Sequence, residues 1–373
     1  MKRTAAVKRL HGNGGAWHTR RRSATAPLLA AGRQPIPHQT SMPFLTMIRQ
    51  NTPLTLGIAL TGVVLVLALF GPVLAPHDPL EQTEMIEIGG EFYGTPPIGR
   101  AVPPFTTDRY PLGTDRDMRD LLSRLLWAVR PTLILCAAVT AARLLIGVPL
   151  GLMAGWFGGR IAAVLDAVIS VTSAVPALAF ALGALIALGL QGGLLAFVVA
   201  LTLNGWSDAA QLARTRTRLI LSAPYIESAR SVGLSPGRIL WAHVLPQVLP
   251  LLPLLAAFEM SATLLLVAEL GYLGYFIGGA FIYTYSINGS DTQYVVTTGL
   301  PELGQMLSGF FGQLYATPWV PLFAGLMIFM ALAAFALLGE GLRRRLDVTR
   351  PRRVWSFWRR GAAVPATPAK TQA

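Results

Sequence analysis

Residues Ser222–Pro246 read SAPYIESARSVGLSPGRILWAHVLP and form the one polar, helix-forming island between long apolar runs. Ser222, with Pro224 in the first turn, predicts the start of a short helix, and Gly233 supplies the left-handed residue that ends it. Ser235 and Pro236 start a second short helix, and Pro246 stops it. Two short helices joined by a tight glycine turn make a wedge rather than a span. The apolar runs on either side of that wedge therefore carry the fold.

The 373 residues are 53% hydrophobic and only 13% charged, with a mean hydropathy of +0.52, outside the soluble globular range. Such a chain belongs in a bilayer. The expected class is all-α: a polytopic membrane protein with six transmembrane helices and the wedge as a helix-turn-helix loop. Apolar runs near 53–75, 131–156, 161–189, 247–274 and 319–338 are able to cross roughly 30 Å of hydrocarbon, and a sixth near 190–206 is short, its Gly193–Trp206 core borrowing Leu190–Gly192 or thinning the bilayer around it. They make a membrane domain over 53–342, between a basic disordered tail at 1–52 and a second basic tail at 343–373. Between the first two runs, Met118, Leu121, Leu122, Leu125, Leu126 and Val129 recur with helical period, and Thr114 with Asp117 resembles a capping box. A helix lying on the membrane surface is expected there, ahead of the second span at Pro131.

Lys and Arg are concentrated in three places: the amino tail, the carboxyl tail and the Ser207–Pro246 loop, which carries Arg214, Arg216, Arg218, Arg230 and Arg238 against Asp208 and Glu227. The positive-inside rule puts all three in the cytoplasm, and an even number of spans lets both termini share that side. The acidic stretch Pro76–Pro111 and the stretch Tyr275–Pro318, which has no Lys or Arg, then fall outside. The net charge of +13 sits mostly in the tails and points to anionic lipid headgroups, not nucleic acid, as its partner.

Several chemistries are absent from the pattern. None of the three lysines, Lys2, Lys8 and Lys370, follows a glycine-rich phosphate loop, so the chain is not expected to bind ATP in that way. His11, His18, His38, His77 and His243 show no paired ligand spacing, Cys136 is the only cysteine, and there is no Gly-x-Ser-x-Gly elbow. Neither a metal, a cofactor nor a catalytic residue is expected. Charges within apolar spans are costly and mark either a pathway or a buried pair; the candidates are Arg143, Asp166, Glu259 and Glu269.

The wedge meets a family pattern. Tyr225, Glu227, Ala229, Arg230, Gly233, Ile239, His243, Leu245 and Pro246 resemble the EAA loop of permease subunits of binding-protein-dependent ABC importers, with Ser228 where that family usually has Ala. Leu112-Gly113-Thr114-Asp115, Arg119-Asp120 and Leu122-Ser123-Arg124-Leu125 are similar to the segment before the second span in the second membrane subunit of the dipeptide, oligopeptide and nickel class, with Met118 in place of its usual Gly. Gly155-Trp156-Phe157-Gly158-Gly159, Asp166 and Pro176, then Leu338-Gly339, Leu342-Arg343 and Leu346-Asp347, resemble later motifs of that class.

This resemblance, over about Pro53 to Asp347, implies an inner-membrane permease that forms the translocation pathway for a peptide-like solute. It implies a second permease subunit, two cytoplasmic ATPase subunits that supply the energy, and an external solute-binding protein. The wedge would then be the loop that couples to the ATPases. A helix-turn-helix DNA reader is excluded by the spans close on either side of the wedge. A proton-coupled secondary transporter is the alternative; it would use the intramembrane acids and show inverted repeats of its halves, which the sequence lacks.

Overall fold

The computed structural model describes residues 51–83, 85–94, 100–189, 193–277, 279–285, 291–296 and 301–346. The two basic tails, and Leu190–Gly192 at the expected start of the fourth span, lie almost wholly outside these. Among the described residues five helices are long and apolar enough to cross a membrane, and a bent pair makes a sixth crossing if it counts as one.

The first helix, α1 (Thr52–Leu74), begins with Pro53 in its first turn. The Asn51 side-chain amide donates to the carbonyl of Gly341 at 2.9 Å, which ties the start of α1 to the last helix. The chain then forms a hairpin, β1 (Ile86–Ile88) paired antiparallel with β2 (Glu91–Tyr93), over a small cluster of Tyr93, Val102 and Met118. Met118, which stands where the family pattern has Gly, has φ of 59°. That conformation costs a side-chain-bearing residue about 1–2 kcal/mol, and complete burial of the Met side chain, worth about 1.5–3 kcal/mol, outweighs it.

The helix expected on the membrane surface and the second span prove to be one element, α2 (Leu121–Trp156), 36 residues long. Its cap is Asp120, which accepts the Ser123 N–H at 3.1 Å; Thr114 and Asp117 lie outside the helix. Pro131 does not start a new helix, because proline removes only one interior hydrogen bond and the flanking turns are held by packing. At about 1.5 Å per residue α2 is some 54 Å long, well beyond the roughly 30 Å of a bilayer's hydrocarbon.

The expected third span is broken. α3 (Gly159–Ala174) and α4 (Ala177–Leu188) meet at 89° across Val175 and Pro176. Pro176 disfavours a helical conformation at Val175, and the Val175 carbonyl accepts from the Asn204 side chain at 3.1 Å. The next helix, α5 (Gly193–Leu221), runs fifteen residues past the expected end of the fourth span at 206. It packs on α2 through small residues: a Cβ on Gly147, Gly151 or Gly155 would fall 2.3 Å from Trp206 O, 2.2 Å from Ala210 O and 2.6 Å from Thr217 Cβ. Backbones in direct contact are the usual way two helices associate where no hydrophobic force separates helix from lipid.

The wedge follows as α6 (Pro224–Ser231) and α7 (Pro236–Ile239). Pro246 does not end the second helix. The chain continues through a π turn (Leu240–Val244), α8 (Leu245–Val248) and a 3-10 turn (Leu249–Leu251) into α9 (Leu252–Tyr272). Pro246, Pro250 and Pro253 each lack an N–H, so the helical register loosens and tightens without the chain turning aside. Beyond α9 lie β3 (Tyr275–Phe276), β4 (Gly279–Tyr285) and β5 (Asp291–Val296) in one antiparallel sheet, then α10 (Phe310–Ala316) and the last span α11 (Trp319–Leu346). Leu303 and Met306, between β5 and α10, are buried in the main core. The Leu303 N–H donates to the Thr132 hydroxyl at 3.2 Å and so staples this segment to α2.

Candidate functional site

The wedge is held by its apolar side and presents its polar one. Ile226, Ile239 and Val244 are buried with Ile220 of α5 and Val248 of α8 in a single cluster. Glu227, Ser228, Arg230 and Ser231 are exposed, as are Tyr225, Val232 and Trp241. Glu227 and Arg230 form no ion pair with one another or with any other described residue.

Gly233 has φ of 85°, and the Leu234 N–H donates to Ala229 O at 3.1 Å while the Gly233 N–H donates to Arg230 O at 2.9 Å. These two bonds are a Schellman motif, which satisfies the last carbonyls of α6 and fixes the direction of the chain. Ser222 does not cap α6: its hydroxyl donates back to Leu219 O at 3.0 Å, and the N-cap is Ala223. Ser235 is the N-cap of α7 by position, without a side-chain bond.

The two arms of the wedge are fastened together. Gln247 Nε2 donates to the Tyr225 hydroxyl at 2.8 Å and to His243 O at 2.9 Å, and the rings of Tyr225 and His243 meet edge-on with centroids 6.4 Å apart. Leu245 and Pro246 lie in the turns that run on into α9. Gln247 and the buried Ile226 and Val244 are absent from the sequence-derived set. The i to i+3 apolar spacing of Ile226 and Ala229 was the available signal for Ile226; none singles out Gln247.

The intramembrane charges separate into two pairings. Arg143 Nη1 donates to Glu259 Oε2 at 2.9 Å, and its Nε and Nη2 donate to Leu201 O at 3.1 and 2.7 Å, with the Arg and Glu side chains 4% and 8% exposed. Asp166, by contrast, is shared by Arg214 and Arg218 of α5, the latter at 3.0 Å. It does not meet Arg143. Glu269 lies ten residues beyond Glu259, about 15 Å along α9, half-buried and without a side-chain hydrogen bond or ion pair to a described residue.

This arrangement places a polar-faced block, packed on its apolar side, between the end of α5 and the turns that lead into α9. Residues 147–348, from the glycine face of α2 through the wedge to the last span, match the model of a family described as "Binding-protein-dependent transport system inner membrane component". The chain belongs to this family. The permease is 30% identical over 295 residues to the di/tripeptide transport system permease protein DppC of Pseudomonas aeruginosa (strain UCBPP-PA14), covering 78% of this chain and 86% of that one. It is 27% identical over 323 residues to the dipeptide transport system permease protein DppC of Haemophilus influenzae, covering 86% and 97%. With the glutathione transport system permease protein GsiD of Pectobacterium atrosepticum it shares 30% identity over 236 residues, covering 63% and 71%. The permease is thus an integral inner-membrane subunit of an ABC importer, a class that works with ATPase and binding-protein partners, and is not itself the catalytic subunit.

Proposed function

We propose that this permease pairs with a second, similar membrane subunit to form the pathway for a peptide-like solute, and that two ATPase subunits dock on its wedge from the cytoplasm. The observation that carries this reading is the division of the wedge into two faces: Ile226, Ile239 and Val244 lock it to the spans, while Glu227 and Arg230 stand free beside the left-handed turn at Gly233. Tyr225, Ala229, His243, Leu245 and Pro246 hold those two charges at a fixed angle to the spans. The peptide character of the cargo rests on the relatives, two of which are named for dipeptides or tripeptides and one for glutathione.

In this reading the chain has no ATP site of its own. Closure of the ATPases moves the wedge, and the spans change between inward and outward openings as a two-state element. Arg143, Glu259 and Asp166 with its two arginines are structural pairs that hold α2, α3, α5 and α9 together through that change. Both tails and the wedge are cytoplasmic, and the hairpin of β1 and β2 is external.

Copurification tests the assignment. The permease brings down ATPase subunits and a second permease in stoichiometric amounts, and the ligand retained by the copurified binding protein identifies the cargo. A chain that transports without any ATPase would instead be a proton-coupled carrier. Orientation is read in a Cys136→Ala background with an impermeant thiol reagent applied from outside: Glu87→Cys labels and Ser235→Cys does not. The reverse pattern contradicts the topology.

A further inference from the structure

One face of α5 is polar along its second half, beginning within roughly 30 Å of the helix start at Gly193, the thickness of a bilayer's hydrocarbon. Asn204, Asp208, Gln211 and Thr215 follow one another at intervals of four, three and four residues, which stacks them on a single side of the helix. The opposite side carries Ala209, Ala213 and Thr217, which are buried against the glycine face of α2. Asp208 lies fifteen residues from Gly193, about 22 Å along the helix, and about 9 Å before Arg214 at the inner boundary.

Asp208, Gln211 and Thr215 are all exposed. Asp208 makes no hydrogen bond or ion pair with a described residue. Arg143 and Glu259 neutralise each other, so Asp208 leaves this level of the protein with one unbalanced negative charge. The stripe extends onto a second helix, because Gln211 Nε2 donates to the Ser173 hydroxyl of α3 at 2.7 Å, two residues before the break at Val175 and Pro176. The Thr215 and Ser173 hydroxyls donate to Gln211 O and Ile169 O, but a free carboxylate facing lipid would be costly, and such a group faces water or a cavity instead. The closest basic groups along the stripe, Arg214 and Arg218, are committed to Asp166.

We propose that Asp208, with Gln211, Thr215 and Ser173, forms the water-exposed wall of the translocation pathway on this subunit, and that the Asp208 carboxylate receives a cationic amino group of the passing solute. This rests on the reading of the chain as a pathway-forming permease and adds the residues and the charge preference of the wall. The carboxylate supplies the one full charge, and the Gln211 amide and the hydroxyls supply donors and acceptors for a peptide backbone.

The test uses the full chain with its copurifying subunits, in membrane fragments open on both sides, and needs no knowledge of the cargo. Gln211→Cys and Thr215→Cys are each placed in the Cys136→Ala background and reacted with a cationic and an anionic methanethiosulfonate of similar size. Wild-type Cys136, fully buried, serves as the slow reference. Only the thiolate reacts, so a cysteine in lipid or in a dry subunit contact stays protonated and slow, and one on a wet wall reacts on the order of a hundredfold faster than Cys136. With Asp208 present the cationic reagent is favoured; Asp208→Asn lowers the cation-to-anion rate ratio about tenfold, and Asp208→Glu retains it. Rates at both positions as slow as Cys136 overturn the wall, and fast rates with a ratio indifferent to Asp208→Asn overturn the cation site. Either result leaves the copurifying ATPase in place, whereas absence of that ATPase removes the importer reading while the rates still report the wall.

Discussion

The guanidinium of Arg143 lies against the backbone of Gly205, so closely that a methyl group there would fall 2.0 Å from Arg143 Cζ. Only this missing side chain lets Arg143 reach both the Leu201 carbonyl and Glu259. Gly205→Ala therefore displaces the guanidinium and leaves Glu259 charged and unpaired, a loss of about 3–5 kcal/mol. Arg143→Met is expected to cost a similar amount. The double variant Arg143→Met/Glu259→Leu costs less than Arg143→Met alone, because it removes the stranded charge. Thermal unfolding in detergent of the three variants checks the order.

The glycine face of α2 gives a second contrast. Gly151→Val drives a side chain into the backbone of Ala210, 2.2 Å away, and is expected to separate α2 from α5 and abolish folded yield. Gly62→Val on α1, where a Cβ meets nothing within 4 Å, is expected to change stability by less than about 0.5 kcal/mol. Monodisperse yield by size-exclusion chromatography separates them.

Asp166, midway along α3, is shared by two guanidiniums near the C-terminal end of α5. Asp166→Asn keeps the size and leaves Arg214 and Arg218 to repel one another, so folded yield falls before transport per folded molecule does. Normal yield with abolished transport would place Asp166 on the pathway instead.

Glu302, in the segment between β5 and α10 that is stapled to Thr132, accepts the Ile277 N–H at 2.7 Å. Burial pushes its carboxyl up from 4.5 to about 7, against the opposing effect of that N–H. The native state thus keeps the proton where the unfolded chain has released it. Stability from this group is complete at low pH, declines as pH rises from 4.5, and levels off above about 7. Hydrogen-exchange protection of residues 301–308, corrected for intrinsic rates, is expected to be greater at pH 5.5 than at pH 8. Glu302→Gln removes the difference.

The elements legible in the sequence were those set by a single residue's chemistry. Gly233 in a polar stretch announced a left-handed turn, and the uncharged runs announced spans. Boundaries governed by packing were not legible. Pro131 resembles a helix start, yet α2 runs through it because its first turns bury Leu121 and Leu125 in the same core. The rise in charge after Trp206 resembled a loop, although Asp208, Gln211 and Thr215 are one face of a helix whose other face is small and apolar. The partnership of Arg143 and Glu259 joins positions 116 residues apart, and periodicity carries no information at that range.

The central claim is that the wedge transmits force between the ATPases and the spans, and it is tested most directly by ATPase stimulation in reconstituted complexes. Gly233→Val meets no steric obstacle but forces a β-branched residue to φ of 85°, which changes the angle between α6 and α7. Glu227→Lys reverses the one acidic charge of the wedge and leaves its buried side intact. Both variants are expected to insert normally and to lose most of the stimulation of ATP hydrolysis by loaded binding protein. Variants that assemble and respond as the wild type does would contradict the account.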